Sequence, residues 1–198
     1  MEWKIIILVA LGLTLTSFVH VWARHPRTIM HPSACSHCHH RLRWHELMPV
    51  ISYFLLKKRC HTCHTPIPAW MPVIEGMGGL LFALSIHHTN PVLWCVMGLL
   101  LLGCMACDMD QLRVPGHFLI MILGLSLYYK FDSWLSPCLL LLMLVILYSI
   151  FKWVKNTDSM GMGDIKLLTG LGFWIDPYDL PYVIGSLGFA GCLFGLLW

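Results

Sequence analysis

The stretch Gly161-Met162-Gly163-Asp164-Ile165-Lys166 sets one carboxylate among glycines at the mouth of an apolar segment, residues 167–174. An ionisable group at a membrane edge is costly, so its presence there points to function. One other place looks like a partner for it. Cys107-Asp108-Met109-Asp110 closes the apolar run of residues 91–106. Two carboxylates delivered to one face of a helical bundle resist double ionisation. One keeps a proton while the other takes a proton from water, which is the acid–base chemistry of an aspartic peptidase. A lone interfacial Asp would more often only mark a helix end near water.

The second chemical constellation is Cys35-x2-Cys38 with Cys60-x2-Cys63. Two such knuckles suit a tetrahedral four-thiolate zinc site, although the gap between them slightly exceeds the usual range. A structural zinc would fold a loop too short and polar to build its own core. His37, His39, His40, His61 and His64 leave the ligand set open at this point. Both knuckles also read as Cys-x-x-Cys-His, ending at His39 and His64, the attachment pattern of c-type haem. The other cysteines, Cys95, Cys104, Cys107, Cys138 and Cys192, lie in apolar segments and read as small buried hydrophobes. Cys104-x2-Cys107 is a weaker candidate for a redox pair.

These groups must be positioned by membrane helices. Of 198 residues, 58% are hydrophobic and only 12% charged, and the mean hydropathy is +0.71. That is well beyond the roughly 45–50% apolar content of soluble domains. The composition predicts an all-α polytopic membrane protein of about seven spans, near residues 5–23, 71–86, 92–107, 116–129, 133–151, 164–174 and 181–198. Residues 1–23 form the first span rather than a cleaved signal. Residues 24–70 form the cysteine loop domain, and 71–198 the domain carrying the aspartates. Eight of the nine tryptophans, all but Trp44, fall near the span ends and read as interfacial belts.

Alternating the spans across a bilayer tests this layout. Of the 13 Lys and Arg, only Lys4 and Lys130 fall on the side opposite the cysteine loop. The positive-inside rule then puts the N-terminus outside and the loop in the cytoplasm. Asp108, Asp110 and Asp164 share that cytoplasmic side. A reducing compartment favours metal over disulfides, and a cytoplasmic loop argues against haem attachment.

Together these residues resemble the type IV prepilin peptidase family, the leader peptidases and N-methyltransferases of pilus and secretion systems. The resemblance runs through Pro32 to Cys38, His45 to Tyr53, Arg59 to Pro68, Pro72-Val73-Ile74-Glu75 with Gly79, Asp108-x6-Pro115, and Gly161-x-Gly163-Asp164-x-Lys166. It implies Asp108 and Asp164 as the catalytic pair, with Asp108 preferred to Asp110 because it keeps the family's distance to the proline. It implies zinc at Cys35, Cys38, Cys60 and Cys63. It points to Glu75 and Gly79 as candidates for binding a cofactor, S-adenosylmethionine; for Glu75 an interfacial acid is the alternative. It implies an inner-membrane endopeptidase acting on prepilins or pseudopilins beside membrane lipid, with no nucleic acid partner. The oligomeric state is left open.

Three departures bear on these expectations. Ser17-Phe18-Val19-His20 places His where the family has Asn, and the Arg that follows is displaced to Arg24 or replaced by it, which bears on methyl transfer. The glycine that often follows each knuckle is absent. The chain ends after a segment resembling the family's penultimate span, so an eighth span is expected to be missing, in a short member or a truncated chain. Two other classes stay open beside the enzyme: a membrane redox protein, either a dihaem c-type cytochrome or a thiol oxidoreductase, and a non-catalytic scaffold that binds pilins.

Overall fold

The computed structural model describes residues 2–24, 33–35, 37–129, 134–155 and 161–197. Arg27, Pro32, Ser36, Lys130 and Trp198 lie outside them. Helices dominate: α1 (Glu2–Arg24), the short α2 (Ile51–Leu55), α3 (Trp70–Leu84), α4 (Pro91–Gln111), α5 (Gly116–Tyr129), α6 (Leu135–Lys155), α7 (Met162–Gly172) and α8 (Leu180–Leu197). A single 3-10 turn, Trp44–Glu46, precedes α2, and another, Ser85–His87, extends α3. The only β pairing among the described residues is two isolated bridges in the cysteine loop.

All seven apolar segments expected from the sequence are helices. Among the described residues, three are long and apolar enough to cross a bilayer: Trp3–Ala23, Trp70–His87 and Pro91–Gln111. At 1.5 Å per residue, a span of about 20 residues matches the roughly 30 Å hydrocarbon core. With 14 residues α5 falls short of that, and α7 with 11 falls further short. The expected connection after residue 107 begins later than the sequence suggests. α4 runs on through Asp108 and Asp110 to Gln111. It stops where Leu112 turns left-handed (φ 52°) and donates its N–H to the Asp108 carbonyl at 2.9 Å. Pro115 then forbids continuation.

The chain divides into two compact units, Met1–Phe118 and Leu119–Trp198. Packing thus groups α1, the loop, α3 and α4 together, and the boundary cuts across the 71–198 segment. In the first unit α1 lies closely on α3. A side chain at Gly12 would strike the Gly78 carbonyl, and one at Gly78 would strike the Thr16 hydroxyl. Small residues let helices approach in this way where water supplies no hydrophobic drive. Thr16 satisfies its buried hydroxyl on the Gly12 carbonyl at 2.8 Å. Ile74, Leu102 and Ala106 form the buried centre between α3 and α4, flanked by Trp70 and Leu81.

In the second unit Leu140 and Leu144 of α6 pack on Ile165 of α7 and Leu180 of α8. Gly172 admits Pro137 closely, since a Cβ there would come within 2.9 Å of the proline Cα. The Trp174 indole N–H donates to Ser126 Oγ at 2.8 Å, and its ring stacks on Tyr129 at 4.8 Å. These contacts tie the end of α7 to α5.

Candidate metal centre and acidic helix ends

The cysteine loop contains the same small structure twice. In the first copy Cys35 donates its N–H to the His40 carbonyl, and His39 donates to the Cys35 carbonyl. In the second, Cys60 donates to the Thr65 carbonyl and His64 to the Cys60 carbonyl. The bridges Ala34 with Arg41 and Arg59 with Pro66 close the two turns alike. Each turn carries its two thiols on one side, and the copies face each other.

The four sulfurs of Cys35, Cys38, Cys60 and Cys63 all lie within 4.8 Å of one another. Cys35 Sγ is 3.8 Å from Cys63 Sγ, and Cys38 Sγ is 4.0 Å from Cys60 Sγ. These separations are far beyond the roughly 2.05 Å of a disulfide. They match the edge of about 3.8 Å in a tetrahedron with 2.3 Å metal–sulfur bonds. The four thiols therefore fit a single tetrahedral metal ion. Two c-type haems would instead each need a pair of thiols to itself. His39 and His64, which would complete the haem pattern, are both exposed.

The thiols differ in acidity. Thr65 holds Cys63 down to about 6, through its hydroxyl and then its backbone N–H, against the cost of desolvation. Backbone donors at Cys38 and His37 lower Cys35. A backbone donor at His40 also favours the Cys38 thiolate, but desolvation and the neighbouring sulfurs outweigh it and push Cys38 up to about 11. Sharing charge among four close sulfurs is unfavourable until a cation sits among them, so metal binding must release protons.

Two departures from expectation appear here. The residue after each knuckle is a histidine, yet His39 (φ 56°) and His64 (φ 57°) keep the left-handed backbone that a glycine would adopt freely. Each costs of order 1–2 kcal/mol relative to an unstrained position. Two acids are anchors: Glu46, for which no role is expected, and Glu75, expected as a candidate for the cofactor. Glu46 is buried, accepts the Arg43 N–H at 2.8 Å and lies 3.8 Å from His40. Glu75, on α3, accepts the Val50 N–H at 2.7 Å. An acid three residues after Arg43 was the available signal for the first contact. No local pattern announces the second.

The other residues singled out fall as follows. Gly79 sits in the α1–α3 contact, where a Cβ would meet Leu13 and Val9 at 3.2–3.3 Å. His20 is buried, with its ring edge-on to Trp70 at 5.3 Å. Cys95, Cys104 and Cys107 are buried in α4.

Asp108 and Asp110 are exposed in the last turn of α4. Asp164 is half-buried in the first turn of α7, with Gly161 as the preceding cap. A side chain at 161 would come within 3.2 Å of Asp164 Oδ2. The carboxylate thus folds back over bare backbone, next to the positive end of the helix dipole. Asp164 donates its own N–H to the Gly161 carbonyl at 3.1 Å. Lys166 is exposed on the following turn. Asp108 belongs to the first compact unit and Asp164 to the second.

Residues 10–89 match the bacterial peptidase A24 N-terminal domain, and residues 95–197 match the type IV leader peptidase family. Among curated relatives, a prepilin leader peptidase/N-methyltransferase of Burkholderia pseudomallei (strain 1026b) is 35% identical over 83% of this chain and 57% of its own length. One of Aeromonas hydrophila is 29% identical over 86% of this chain and 63% of its own. One of Neisseria gonorrhoeae is 28% identical over 83% and 60%. The chain therefore spans less than two thirds of the length of these relatives. No solved structure matches it significantly.

Proposed function

Because this chain belongs to the type IV leader peptidase family, we propose that it is a membrane-embedded aspartic endopeptidase that removes the short basic leader of type IV prepilins or pseudopilins. The observation that carries the reading is the match over residues 95–197, which contains both acidic motifs. The bare backbone at Gly161 beneath Asp164 supports it.

In this reading Asp108 and Asp164 act as a pair that shares one proton. The ionised carboxylate takes a proton from water, and the water oxygen attacks the scissile carbonyl carbon. The protonated carboxyl donates to the leaving amine as the carbon–nitrogen bond breaks. The pair is then ready for another turnover after one proton exchange with solvent. Gly161 leaves room for the Asp164 carboxylate and for a substrate strand beside it. Lys166 faces the headgroups or the leader.

We place the protein in the inner membrane, multi-pass, with seven spans, of which the short α5 and α7 cross only where the bilayer thins around them. The N-terminus is outside, and the cysteine loop and the three aspartates are on the cytoplasmic face. The charge bias of the connections supports this orientation. Cys35, Cys38, Cys60 and Cys63 hold a structural zinc, whose chemistry is to tie the two knuckles together. N-methyltransferase is the second activity in the relatives' name, read here as methylation of the new N-terminus with S-adenosylmethionine as donor. We extend it to this chain in outline only. Glu75 and Gly79 are engaged with Val50 and α1, so neither is assigned to the methyl donor.

The test is cleavage of a synthetic prepilin-like substrate, a basic leader joined through glycine to an apolar helix, by the full chain in liposomes. Wild type should release the leader, Asp108→Ala and Asp164→Ala should not, and Asp110→Ala should retain cutting. A dead Asp110→Ala beside an active Asp108→Ala would reassign the pair. Failure of wild type to cut would overturn the peptidase reading in favour of a pilin-binding scaffold.

A further inference from the structure

The loop between α1 and α3 carries an apolar surface that the metal centre does not use. Trp44 is 74% exposed, Phe54 and Leu55 64%, Ile51 55% and Leu47 47%. Ile51, Phe54 and Leu55 stand at i, i+3 and i+4, on one face of α2. Tyr53 turns the other way and is buried. Along α1 and α3 comparable exposure is met by the hydrocarbon of the bilayer. A helix of 5 residues cannot span, so its apolar face must be covered differently.

The depth of this face is fixed by one hydrogen bond. Val50, the residue before α2, donates its N–H to Glu75 Oε2, and Glu75 lies in the second turn of the candidate span Trp70–His87. The start of α2 is therefore level with the end of a membrane helix, at the zone where tryptophans such as Trp70 collect. The charges flanking the face have one sign. Arg41 and Arg43 precede it, and Lys57, Lys58 and Arg59 follow it, all exposed. The only acid in the sequence between Arg41 and Arg59 is Glu46, which is buried. Leu55, Leu56, Lys57 and Arg59 also line an open groove of about 520 Å³ with His61 and His64. Apolar walls and cationic rims in one groove suit the phosphate and upper acyl chain of a lipid.

We propose that residues 44–59 form a foot that docks on the anionic phospholipid surface of the bilayer. Trp44, Leu47, Ile51, Phe54 and Leu55 enter the boundary between headgroups and acyl chains. Lys57, Lys58 and Arg59 engage headgroup phosphates. Docking holds the metal-bearing knuckles against the membrane independently of any peptidase activity.

The test places the photoreactive residue p-benzoylphenylalanine at position 54 of the full-length, zinc-loaded chain. The protein is reconstituted in vesicles of equal phosphatidylcholine and phosphatidylglycerol, and adducts are read by mass spectrometry. The same residue at Leu80, exposed on α3, reports embedding of the spans and must label lipid in every preparation. The foot predicts phospholipid adducts at 54, with phosphatidylglycerol at least threefold over phosphatidylcholine. It further predicts that the ratio falls to about one in Lys57→Gln/Lys58→Gln/Arg59→Gln, with zinc content unchanged. Labelling at 80 with none at 54, equal labelling of the two lipids by the unsubstituted loop, or adducts from 54 to a second copy or to the chain itself would each overturn the proposal.

Discussion

The cysteine loop and the acidic helix ends build their chemistry in opposite ways. In the loop, two short backbone turns set four thiols within one small volume. The geometry is local, repeated and nearly indifferent to the helices around it. The aspartates have no such frame. Each sits at a helix terminus, α4 for Asp108 and α7 for Asp164, and the two helices belong to different compact units. A metal site can thus be completed by turns alone, whereas a carboxylate pair in a membrane must be assembled by helix packing. The first kind of site should fail as a folding unit and the second as a catalyst.

The largest expected effect is loss of the metal. Cys60→Ser removes one of four thiolates, and apparent zinc binding by such sites is of order 10 kcal/mol. Zinc measured by emission spectroscopy should drop to a small fraction of stoichiometric, and residues 33–68 should become protease-sensitive. Acid should do the same to wild type. Protons compete with the metal for the thiolates, so zinc is held at neutral pH and is released only below about 6, where the most acidic of the free thiols, Cys63, takes up its proton. Retention of full zinc by Cys60→Ser would dissolve the distinction between the two regions.

Next in size is the carboxylate pair. Asp164→Asn should lower cleavage by about 10³-fold, in the range typical of general acid–base groups, while zinc content and helicity stay unchanged. A smaller loss is expected from Gly161→Ala. Its φ of −67° is open to alanine, so the added methyl acts only through Asp164 Oδ2, costing about tenfold in rate, or about 1.4 kcal/mol. A Gly161→Ala rate equal to wild type would show that the carboxylate has room to spare.

Glu75 ties the loop to α3. Glu75→Ala leaves the Val50 N–H without its acceptor, at about 1–3 kcal/mol. Hydrogen exchange at Val50 to Leu55 should accelerate accordingly, with the knuckles still protected. The smallest effect is a gain. His39→Gly and His64→Gly relieve left-handed strain but add unfolded-state freedom, for a net stabilisation of up to about 1 kcal/mol each. Zinc-loaded loops that unfold earlier would show that these histidines make contacts worth more than the strain.

Much of this was legible in the sequence, for physical reasons that differ by region. Apolar runs long enough to matter become helices wherever they sit. The expected bounds of α5 hold to the residue, and the others hold within a few. Paired Cys-x-x-Cys spacing announces its own cluster, because each knuckle needs only its own turn. α4 ends beyond the expected boundary because a helix can carry acids past the apolar core into the headgroups. The left-handed His39 and His64 were hidden by residue type. The Glu75–Val50 bond joins residues distant in sequence, and no periodicity encodes such a contact. For the same reason the pairing of Asp108 with Asp164 rests on motif and family, not on spacing.

The most direct measurement is a double-substitution cycle on cleavage in liposomes: wild type, Asp108→Asn, Asp164→Asn and the two combined. Groups that act as one unit are strongly non-additive. The shared-site account predicts that each single substitution costs about 10³-fold and that the double costs no more than either. A double loss equal to the product of the two single losses would contradict it, because the carboxylates would then be acting independently.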